Sequence, residues 1–311
     1  MSDKSKVSIV ITNWNGRSLL EECLPSIKEA VSADKNREYE VIIVDDCSKD
    51  DSVNYIRNNF PSFRVIIPEH NLGFQGATNI GVLNAIGKIV ILLNNDIKAR
   101  NDSFNPFFDH FNNEDVFAVG GRLYQFDETN YLAGNYRAIF KKGHFSIVTE
   151  KESYNSCYIP FVCGGAGAFD REKFILLGGF DELFYPLYYE DVDICYRAWK
   201  RGWKCIYEPK SLMYHKHQAT ITGQVKRIKY LTARNNYLFT WKNITDLSYI
   251  LLHIIFCPLF LIRDLFRFKF RFWISIFMAL KRLGKVLKLR RIETKECIFS
   301  DKLVLDWISF K

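Results

Sequence analysis

Short apolar runs alternate with amphipathic segments along the first hundred residues of the chain. The apolar runs are brief and rich in β-branched residues, as expected of buried strands. We predict that the first helix begins at Ser18, with Glu21 in capping-box position, and that Pro61 and Gly87 stop the next two helices. The pattern predicts strands at residues 7–12, 40–45, 64–67 and 88–94, and further helices at residues 51–59 and 74–86.

This alternation indicates an α/β fold with a mostly parallel, Rossmann-like central sheet and helices on both of its faces. Residues 102–158 are less regular, and residues 161–180 are rich in glycine. A further helix opens near Glu190, because apolar residues from Val192 to Trp199 recur at helical spacing before Gly202.

Polar clusters follow three of the predicted strands. They are Asn13-Trp14-Asn15, Asp45-Asp46-Cys47-Ser48 and Asn94-Asn95-Asp96. In an open parallel sheet, ligands bind beyond the carboxyl ends of the strands. We therefore expect the three clusters to meet at one edge and to form a site.

The composition changes near residue 246, so we divide the chain into a catalytic domain, 1–246, and a C-terminal amphipathic basic segment, 247–311. Residues 263–291 contain ten Lys or Arg and one acidic residue, Asp264. That segment carries +9, so the +8 of the whole chain leaves −1 for the rest.

The C-terminal segment also holds two uncharged runs, residues 249–262, interrupted by Pro258, and residues 272–280. Both are shorter than the roughly 20 residues needed to span a bilayer. Basic residues interleaved with Phe and Trp favour a segment lying in an anionic membrane interface. A helical hairpin packed on the domain or on a second subunit is the alternative.

The remaining composition indicates a reducing compartment. None of the eight cysteines forms a Cys-x-x-Cys pair, and the polar start Met1–Lys6 lacks the apolar stretch of a secretory signal. We expect a cytoplasmic protein, peripheral at the inner face of the cell membrane.

The ordered strings of the chain resemble family 2 glycosyltransferases, which have the GT-A fold, over about residues 7–241. The rhamnosyltransferase-like bacterial branch is the most similar. The strings are VSIVITNWNG, VIIVDDCSKDDS, NLGFQGATNIG, ILLNNDI, VCGGAGAF, GGFDELFYPLYYEDVDICYR, YHKH and ARNNY. The resemblance implies an inverting hexosyltransferase that uses a nucleotide-sugar donor.

The resemblance also implies donor contacts. Asp45 would bind the nucleotide, although Asp45 and Asp46 with Ser48 could instead cap the next helix. Arg234 would reach the diphosphate, and a solvated surface arginine is the alternative. The other implied donor-binding residues are Thr12, Asn13, Asn71, Asn79 and Asn95.

A divalent metal, Mg²⁺ or Mn²⁺, would neutralise the leaving diphosphate. Asp96 is the only carboxylate of its cluster and matches the family's Asp-x-Asp position, with Asn94 and Asn95 as lesser candidates. His215 matches a later histidine of the family and is the expected second ligand.

Transfer to an alcohol needs a general base. The family pattern assigns that role to Asp191, with Glu190 binding the acceptor or orienting the base. The helix N-terminus should favour the anionic forms of these carboxylates, and Asp193 fits the ordinary preference of acids for a first turn. The small residues Gly164, Gly165 and Ala166 would let an acceptor approach the backbone.

The sequence thus predicts transfer from dTDP-rhamnose or a UDP-sugar to a saccharide or lipid-linked saccharide, in the biosynthesis of a bacterial surface polysaccharide. A nucleotidyltransferase or sugar-nucleotide pyrophosphorylase usually places a glycine-rich basic loop after its first strand, where this chain has Asn-Trp-Asn-Gly. A non-catalytic nucleic-acid-binding protein should carry its basic residues on the folded domain. We expect no nucleic-acid partner.

Overall fold

The protein is described by a computed structural model that covers residues 6–216, 225–268 and 270–309. Met1–Ser5 of the polar start and His217 of the string YHKH lie outside these residues. The strands are β1 Lys6–Asn13, β2 Glu38–Asp45, β3 Arg64–Ile66, β4 Ile89–Asn94, β5 Ile97–Ala99, β6 Val116–Gln125, β7 Tyr131–Ala133, β8 Tyr136–Lys141, β9 His144–Thr149, β10 Cys157–Tyr158, β11 Ala166–Asp170 and β12 Lys204–His215.

The helices cover both faces of this sheet and fill the C-terminal part. They are α1 Arg17–Ala33, α2 Ser52–Asn59, α3 Gly73–Asn84, α4 Asn105–Phe108, α5 Arg171–Leu176, α6 Glu190–Lys200, α7 Val225–Asn243, α8 Leu247–Phe266, α9 Arg271–Leu280, α10 Leu283–Glu296 and α11 Asp301–Ser309. Two short 3₁₀ helices span Asp109–Asn112 and Glu182–Phe184.

The main sheet has the strand order β10-β12-β6-β11-β4-β1-β2-β3. The pairs β1–β2, β1–β4, β2–β3 and β6–β12 are parallel, and β11 runs antiparallel between β4 and β6. Separate hydrophobic clusters cover its two faces. The mostly parallel α/β sheet and its first four strands are therefore confirmed.

One prediction about local structure is wrong, because Ser18 does not cap α1, which begins at Arg17 after Gly16 without a side-chain cap. The sequence analysis made no prediction for β12, a 12-residue strand that pairs with β6. Its sequence includes Glu208, whose buried carboxylate is bound by His110 at 2.7 Å, and such internal polar residues hide the apolar pattern of a strand.

The expectation that the C-terminal apolar runs are too short to span a bilayer is also wrong, because the helix that contains the first run is longer than the run itself. The helix α8 continues through Pro258 and has 20 residues, with a mean hydropathy of 1.9. By length and composition alone it could cross a membrane. Only 11% of the apolar stretch of this helix is buried within the protein, so α8 is not an ordinary core helix.

The end of the chain is joined to α6 by buried charges. The Asp301 side chain is fully buried at the start of α11 and accepts hydrogen bonds from Tyr196 Oη at 2.7 Å and Lys200 Nζ at 2.8 Å. It also accepts from the backbone N–H groups of Thr245 and Asp246. Thus α11 closes against both α6 and the turn before α8.

We expect Asp301→Ala to destabilise the fold by about 3–5 kcal/mol, because it leaves the Lys200 ammonium buried without its partner. Urea unfolding of the full chain measures this change. Asp306→Ala on the exposed side of the same helix is the control, with an effect within about 0.5 kcal/mol. Equal effects of the two changes would contradict the anchoring role of Asp301.

Candidate active site

Amide and carboxylate side chains at three strand ends form one hydrogen-bonded chain. Asn13 Nδ2 at the end of β1 donates to Asp45 Oδ2 at the end of β2 at 2.7 Å. Asn95 Nδ2, just after β4, donates to Asn13 Oδ1 at 2.7 Å. The structure therefore brings the three polar clusters together, as the sequence predicted, and Thr12 lies between Val44 and Asn94 in the same register.

A glycine makes this approach possible. A Cβ atom at Gly16 would lie 2.1 Å from Asn95 Nδ2 and 2.4 Å from Asn13 Oδ1. Any larger residue would separate these two amides, so Gly16 belongs to the site although the sequence analysis did not select it. It is the final residue of the string VSIVITNWNG, which was the available signal.

Asp45 does not act as a helix cap. Its carboxylate accepts from the backbone N–H of Ser48 at 2.9 Å and from Ser48 Oγ at 2.8 Å, whereas α2 begins later, with Asp51 at the N-cap. The capping alternative is therefore wrong. Asp45 is 1% exposed, and its contacts fix the carboxylate at the strand edge.

The neighbouring Asp46 holds the turn before α3. Its two oxygens accept from the backbone N–H groups of Leu72 and Gly73 at 2.7 and 2.8 Å, and Asn71 Nδ2 donates to the Asp46 carbonyl at 2.8 Å. Burial raises the pKa of Asp46. Asn71 thus lies beside the strand-end cluster, and its part in donor binding stays a prediction.

Asn79 lies in the second turn of α3, which begins at Gly73. Its amide donates to the Phe180 carbonyl at 2.9 Å and accepts from the Phe180 N–H at 2.8 Å. Both ends of this amide therefore bind backbone. The structure provides a packing reason for Asn79, and it does not bring the residue into the strand-end chain; its donor role stays a prediction.

Asp96 and His215 meet across the end of the sheet. The antiparallel pairing of β5 with β12 sets His215 opposite Ile97, and His215 Nε2 lies 3.3 Å from Asp96 Oδ2. Asp96 is 7% exposed, and its other oxygen, Oδ1, is buried and has no hydrogen-bond partner among the residues that the structure describes. A buried carboxylate oxygen without a partner is costly unless a cation or a donor occupies its site.

This pair fits a divalent metal that is shared with a substrate. Among residues 6–216, 225–268 and 270–309, no group of three or more His, Cys, Asp or Glu could hold a metal ion. A Mg²⁺ or Mn²⁺ ion bound by one carboxylate, water and substrate phosphates needs no such group. Asp96 and His215 would therefore hold the ion only in part, and a diphosphate would complete its shell.

Glu190 and Asp191 begin α6, where Glu190 is buried and Asp191 is half-buried. Burial raises the pKa of Glu190 to about 8 and that of Asp191 to about 6. The helix N-terminus was expected to keep these groups anionic, and for this pair burial outweighs it. Burial and mutual repulsion favour one shared proton on this pair, and the remaining carboxylate suits a general base.

The first turn of α6 is fixed by Gly164 and by Gln75, of which the sequence analysis did not select Gln75. Gln75 Nε2 on α3 donates to Glu190 Oε2 at 3.1 Å, and the Gly164 N–H lies 3.4 Å from Asp191 Oδ2. The pKa of the Cys163 thiol is raised to about 12, chiefly by burial and in part by the charges of Asp191, Glu190 and Asp96. These carboxyl groups therefore border one region around Cys163.

The small residues after Cys163 have close protein neighbours. A Cβ atom at Gly164 would lie 2.8 Å from the Phe180 ring, and one at Gly165 would lie 2.3 Å from Asn94 Cγ. Ala166 is buried at the start of β11. Packing thus accounts for the two glycines, and the acceptor role of Gly164, Gly165 and Ala166 stays a prediction.

Arg234 is not a solvated surface residue, so that alternative is wrong. It is 3% exposed on α7, and its Nη2 donates to the carbonyls of Phe184 and Tyr185 at 3.2 and 2.7 Å. Burial lowers its pKa to about 10. Asn235 Nδ2 donates to the Phe184 carbonyl as well and to two more carbonyls of this loop, those of Leu187 and Tyr188. The ARNNY segment therefore holds the loop that leads into Glu190.

With this geometry established, sequence comparison defines the class of the protein. Residues 8–177 match the model of Glycosyl transferase family 2, which is more than half of the 311 residues. The chain therefore belongs to glycosyl transferase family 2.

Two individual relatives agree with this assignment. The chain is 26% identical over 235 residues to the pre-mycofactocin glycosyltransferase of Mycobacterium tuberculosis, covering 71% of this chain and 45% of that protein. It is 25% identical over 194 residues to N-acetylgalactosaminyltransferase 6 of Drosophila melanogaster, covering 57% and 29%. It thus spans less than half the length of either relative.

Solved structures share the fold. GalNAc-T7, solved with UDP, GalNAc and Mn²⁺, matches with a TM-score of 0.55 and 18% identity, over 76% of this chain and 51% of that one. The mannosyltransferase PcManGT of Pyrobaculum calidifontis, solved with GDP-Man and Mn²⁺, matches with a TM-score of 0.55 and 14% identity, over 99% and 84%. The GT-A fold expected from the sequence is confirmed.

The raised pKa of Glu190 predicts a pH-dependent cost in stability. As the pH rises from about 4.5 to about 8, Glu190 ionises in the unfolded chain before it does so in the fold. The free energy of unfolding is therefore highest below this pH range, where Glu190 is protonated in both states, and it falls as the pH rises through the range. We expect Glu190→Gln to be more stable than the wild type at pH 8.5, with a free energy of unfolding higher by about 2–5 kcal/mol. Its unfolding temperature at that pH should be higher accordingly.

At pH 5 the same pair of proteins should differ little, and calorimetric melting at both pH values measures the difference. Exposed Glu172→Gln is the control and should show no pH-dependent gain. A difference between Glu190→Gln and the wild type that stays constant with pH would contradict the raised pKa.

Proposed function

We propose that this protein is an inverting glycosyltransferase that moves a sugar from a nucleoside-diphosphate donor to an acceptor hydroxyl. The observation that carries the proposal is the pairing of two carboxyl sites around Cys163. One is the Glu190–Asp191 pair, in which a single anion suits a base. The other is Asp96, whose buried Oδ1 has no partner within the described part of the chain and suits a cation.

Asp191 acts as the general base in this proposal. It takes the proton of the acceptor hydroxyl while the hydroxyl oxygen forms a bond to the anomeric carbon, and the bond from that carbon to the diphosphate breaks. A single displacement inverts the anomeric configuration. Glu190, fixed by Gln75, helps to orient the acceptor.

The strand-end cluster binds the donor. Asp45 and Asn13 are fixed to each other and offer polar atoms for the nucleotide, with Thr12, Asn95, Asn71 and Asn79 as the further donor residues and Arg234 supporting the diphosphate side. Asp96 and His215 would hold Mg²⁺ or Mn²⁺. When bound, that ion neutralises the charge that develops on the diphosphate. GalNAc-T7 and PcManGT, which were solved with a nucleotide or nucleotide-sugar and Mn²⁺, support this assignment.

The finer parts of the proposal come from the sequence. The donor is dTDP-rhamnose or a UDP-sugar, the acceptor is a saccharide or lipid-linked saccharide, and the product enters a bacterial surface polysaccharide. The division into domains 1–246 and 247–311 stays part of the proposal. We place the enzyme in the cytoplasm, peripheral to an anionic membrane, and the free state of all eight cysteines supports a reducing compartment.

We expect Asp191→Asn to lower kcat by roughly a hundredfold or more, because the amide keeps the shape but cannot take the proton. Donor binding, measured by calorimetry, should stay near normal. Wild-type activity should rise as the pH passes about 6, where Asp191 ionises, and the variant should lose this rise. Exposed Asp306→Asn serves as the control, and near-normal turnover in Asp191→Asn would exclude the assigned base.

We expect Asp96→Ala to abolish the gain in nucleotide affinity that Mn²⁺ gives the wild type, because the ion loses its only carboxylate ligand. Titration calorimetry of UDP, dTDP and GDP, with and without Mn²⁺, measures the gain and identifies the preferred nucleotide. Asp102→Ala, at an exposed position nearby in sequence, is the control. An unchanged gain in Asp96→Ala would place the ion elsewhere.

A further inference from the structure

The helix α8 has an inverted distribution of polar and apolar residues. The side facing the protein carries His253 and Asp264, which are 7% and 5% exposed. The side facing outward carries leucine and isoleucine, including Ile254, Ile255 and Leu259 at 60%, 57% and 53% exposed. An ordinary surface helix has the opposite arrangement, so the outward side of α8 is built to meet something other than water.

The apolar surface continues beyond α8. The outward residues of α8, of the connection that follows it and of α9 together form a surface that we call the apolar belt. Phe266 and Phe268 in the connection are 80% and 84% exposed. The belt consists of Leu251, Ile254, Ile255, Leu259, Ile262, Phe266, Phe268, Phe270, Ile274 and Phe277. Contiguous exposed apolar patches of this kind mark protein or membrane contacts.

Cations border the belt. Arg263, Arg267 and Arg271 are exposed at the junction of α8 and α9, and none of them has a salt bridge within the described part of the chain. Guanidinium groups beside exposed phenylalanines complement an anionic surface with an apolar interior.

A second copy of the chain would fit this surface poorly. In a two-fold dimer the same patch meets itself, so the three arginines would face each other. The acidic residue in this part of the chain, Asp264, is buried, and its carboxylate accepts from the Phe272 N–H at 3.0 Å. It cannot compensate arginines from a second subunit.

The inward side of α8 shows how the helix would lie. His253 Nδ1 is 2.6 Å from the carbonyl of Gly143, at the tip of the β8–β9 hairpin, and His253 Nε2 accepts from Trp241 Nε1 at 2.9 Å. Burial lowers the pKa of His253. The ring is therefore neutral and joined on both sides to the globular part of the protein.

The helix α9 is joined in the same way. Trp273 Nε1 donates to the Leu261 carbonyl of α8 at 2.9 Å, and Ser275 Oγ donates to the Tyr230 carbonyl of α7 at 3.0 Å. For α8 to cross a bilayer, it would have to leave these contacts and carry His253 and Asp264 into hydrocarbon, at a high cost.

We propose that the apolar belt docks on an anionic lipid bilayer with α8 lying in the plane of the interface, although α8 is long enough to span. This inference rests on the membrane attachment within the proposed function and specifies its surface and geometry. Vesicle binding without donor or metal tests it, so its failure is distinct from a failure of the proposed reaction.

The first test is flotation of the full chain with vesicles of phosphatidylcholine alone or with 30% phosphatidylglycerol, the anionic composition chosen as the probe. We expect Ile254→Gln, Ile255→Gln and Leu259→Gln together to weaken binding more than tenfold, since each removes an inserted apolar side chain. The matched control changes Ile67, Leu83 and Ile86 to Gln, which are 48–62% exposed elsewhere, and should bind as the wild type does.

The second variant tests the charges. Arg263→Gln, Arg267→Gln and Arg271→Gln together should weaken binding to the anionic vesicles by roughly a hundredfold at low salt. The difference should shrink as salt rises. Arg57, Arg100 and Lys151 changed to Gln form the control, because these cations are exposed away from the belt.

Depth-dependent quenching of a fluorophore attached at position 251, 255, 259 or 262 tests the orientation. An in-plane helix places all four reporters at a similar shallow depth, whereas a spanning helix places the middle ones deepest. A spanning profile would overturn the in-plane geometry. A wild-type protein that ignores both vesicle types, and forms a dimer that the three Gln substitutions at 254, 255 and 259 dissociate, would overturn the membrane claim.

Discussion

The distribution of buried cations around α6 determines which of its carboxyl groups can do chemistry. Asp193 is fully buried and accepts from Arg197 Nε at 2.8 Å, Lys242 Nζ at 2.9 Å and Asn243 Nδ2 at 2.8 Å. These partners lower its pKa. Glu190 and Asp191, in the same turn, have no such cation within the described residues, so burial raises their pKa values. One carboxylate thus anchors the helix, and the pair beside it keeps the basicity that a proton acceptor needs.

The strand-end site could be predicted from the sequence because it depends on local order. Short apolar strands and the rule for parallel sheets place Asn13, Asp45 and Asn95 at one edge, where the structure has them. The pKa values of Glu190 and Asp191 could not be predicted in this way. The helix N-terminus is a local effect and burial is not, and burial depends on Gln75 and on the glycines around residue 164, which are distant in sequence.

Long-range contacts also explain the other differences. A solvated Arg234 was a fair alternative for one arginine on a polar helix, since nothing local shows that carbonyls of the 184–188 loop lie above it. The strand β12 was missed because Glu208 is polar in sequence, and its partners His110 and Ser156 reach it only in the fold. For α8, an uncharged run of fourteen residues looks too short to span until Leu247 and Phe266 are included.

The helix α7 connects the loop before the proposed base, Asp191, to the apolar belt. Near its middle, Arg234 and Asn235 hold the loop that leads into Glu190, and Asn236 Nδ2 donates to Tyr189 Oη at 2.7 Å. One turn earlier, the Tyr230 carbonyl accepts from Ser275 of α9. If the belt lies on a bilayer, the loop before Asp191 is therefore held by a helix that itself packs on a membrane-bound element. An acceptor whose lipid end stays in that bilayer would need to raise only its hydroxyl end to the base, which makes a lipid-linked saccharide a better fit to this geometry than a freely diffusing one.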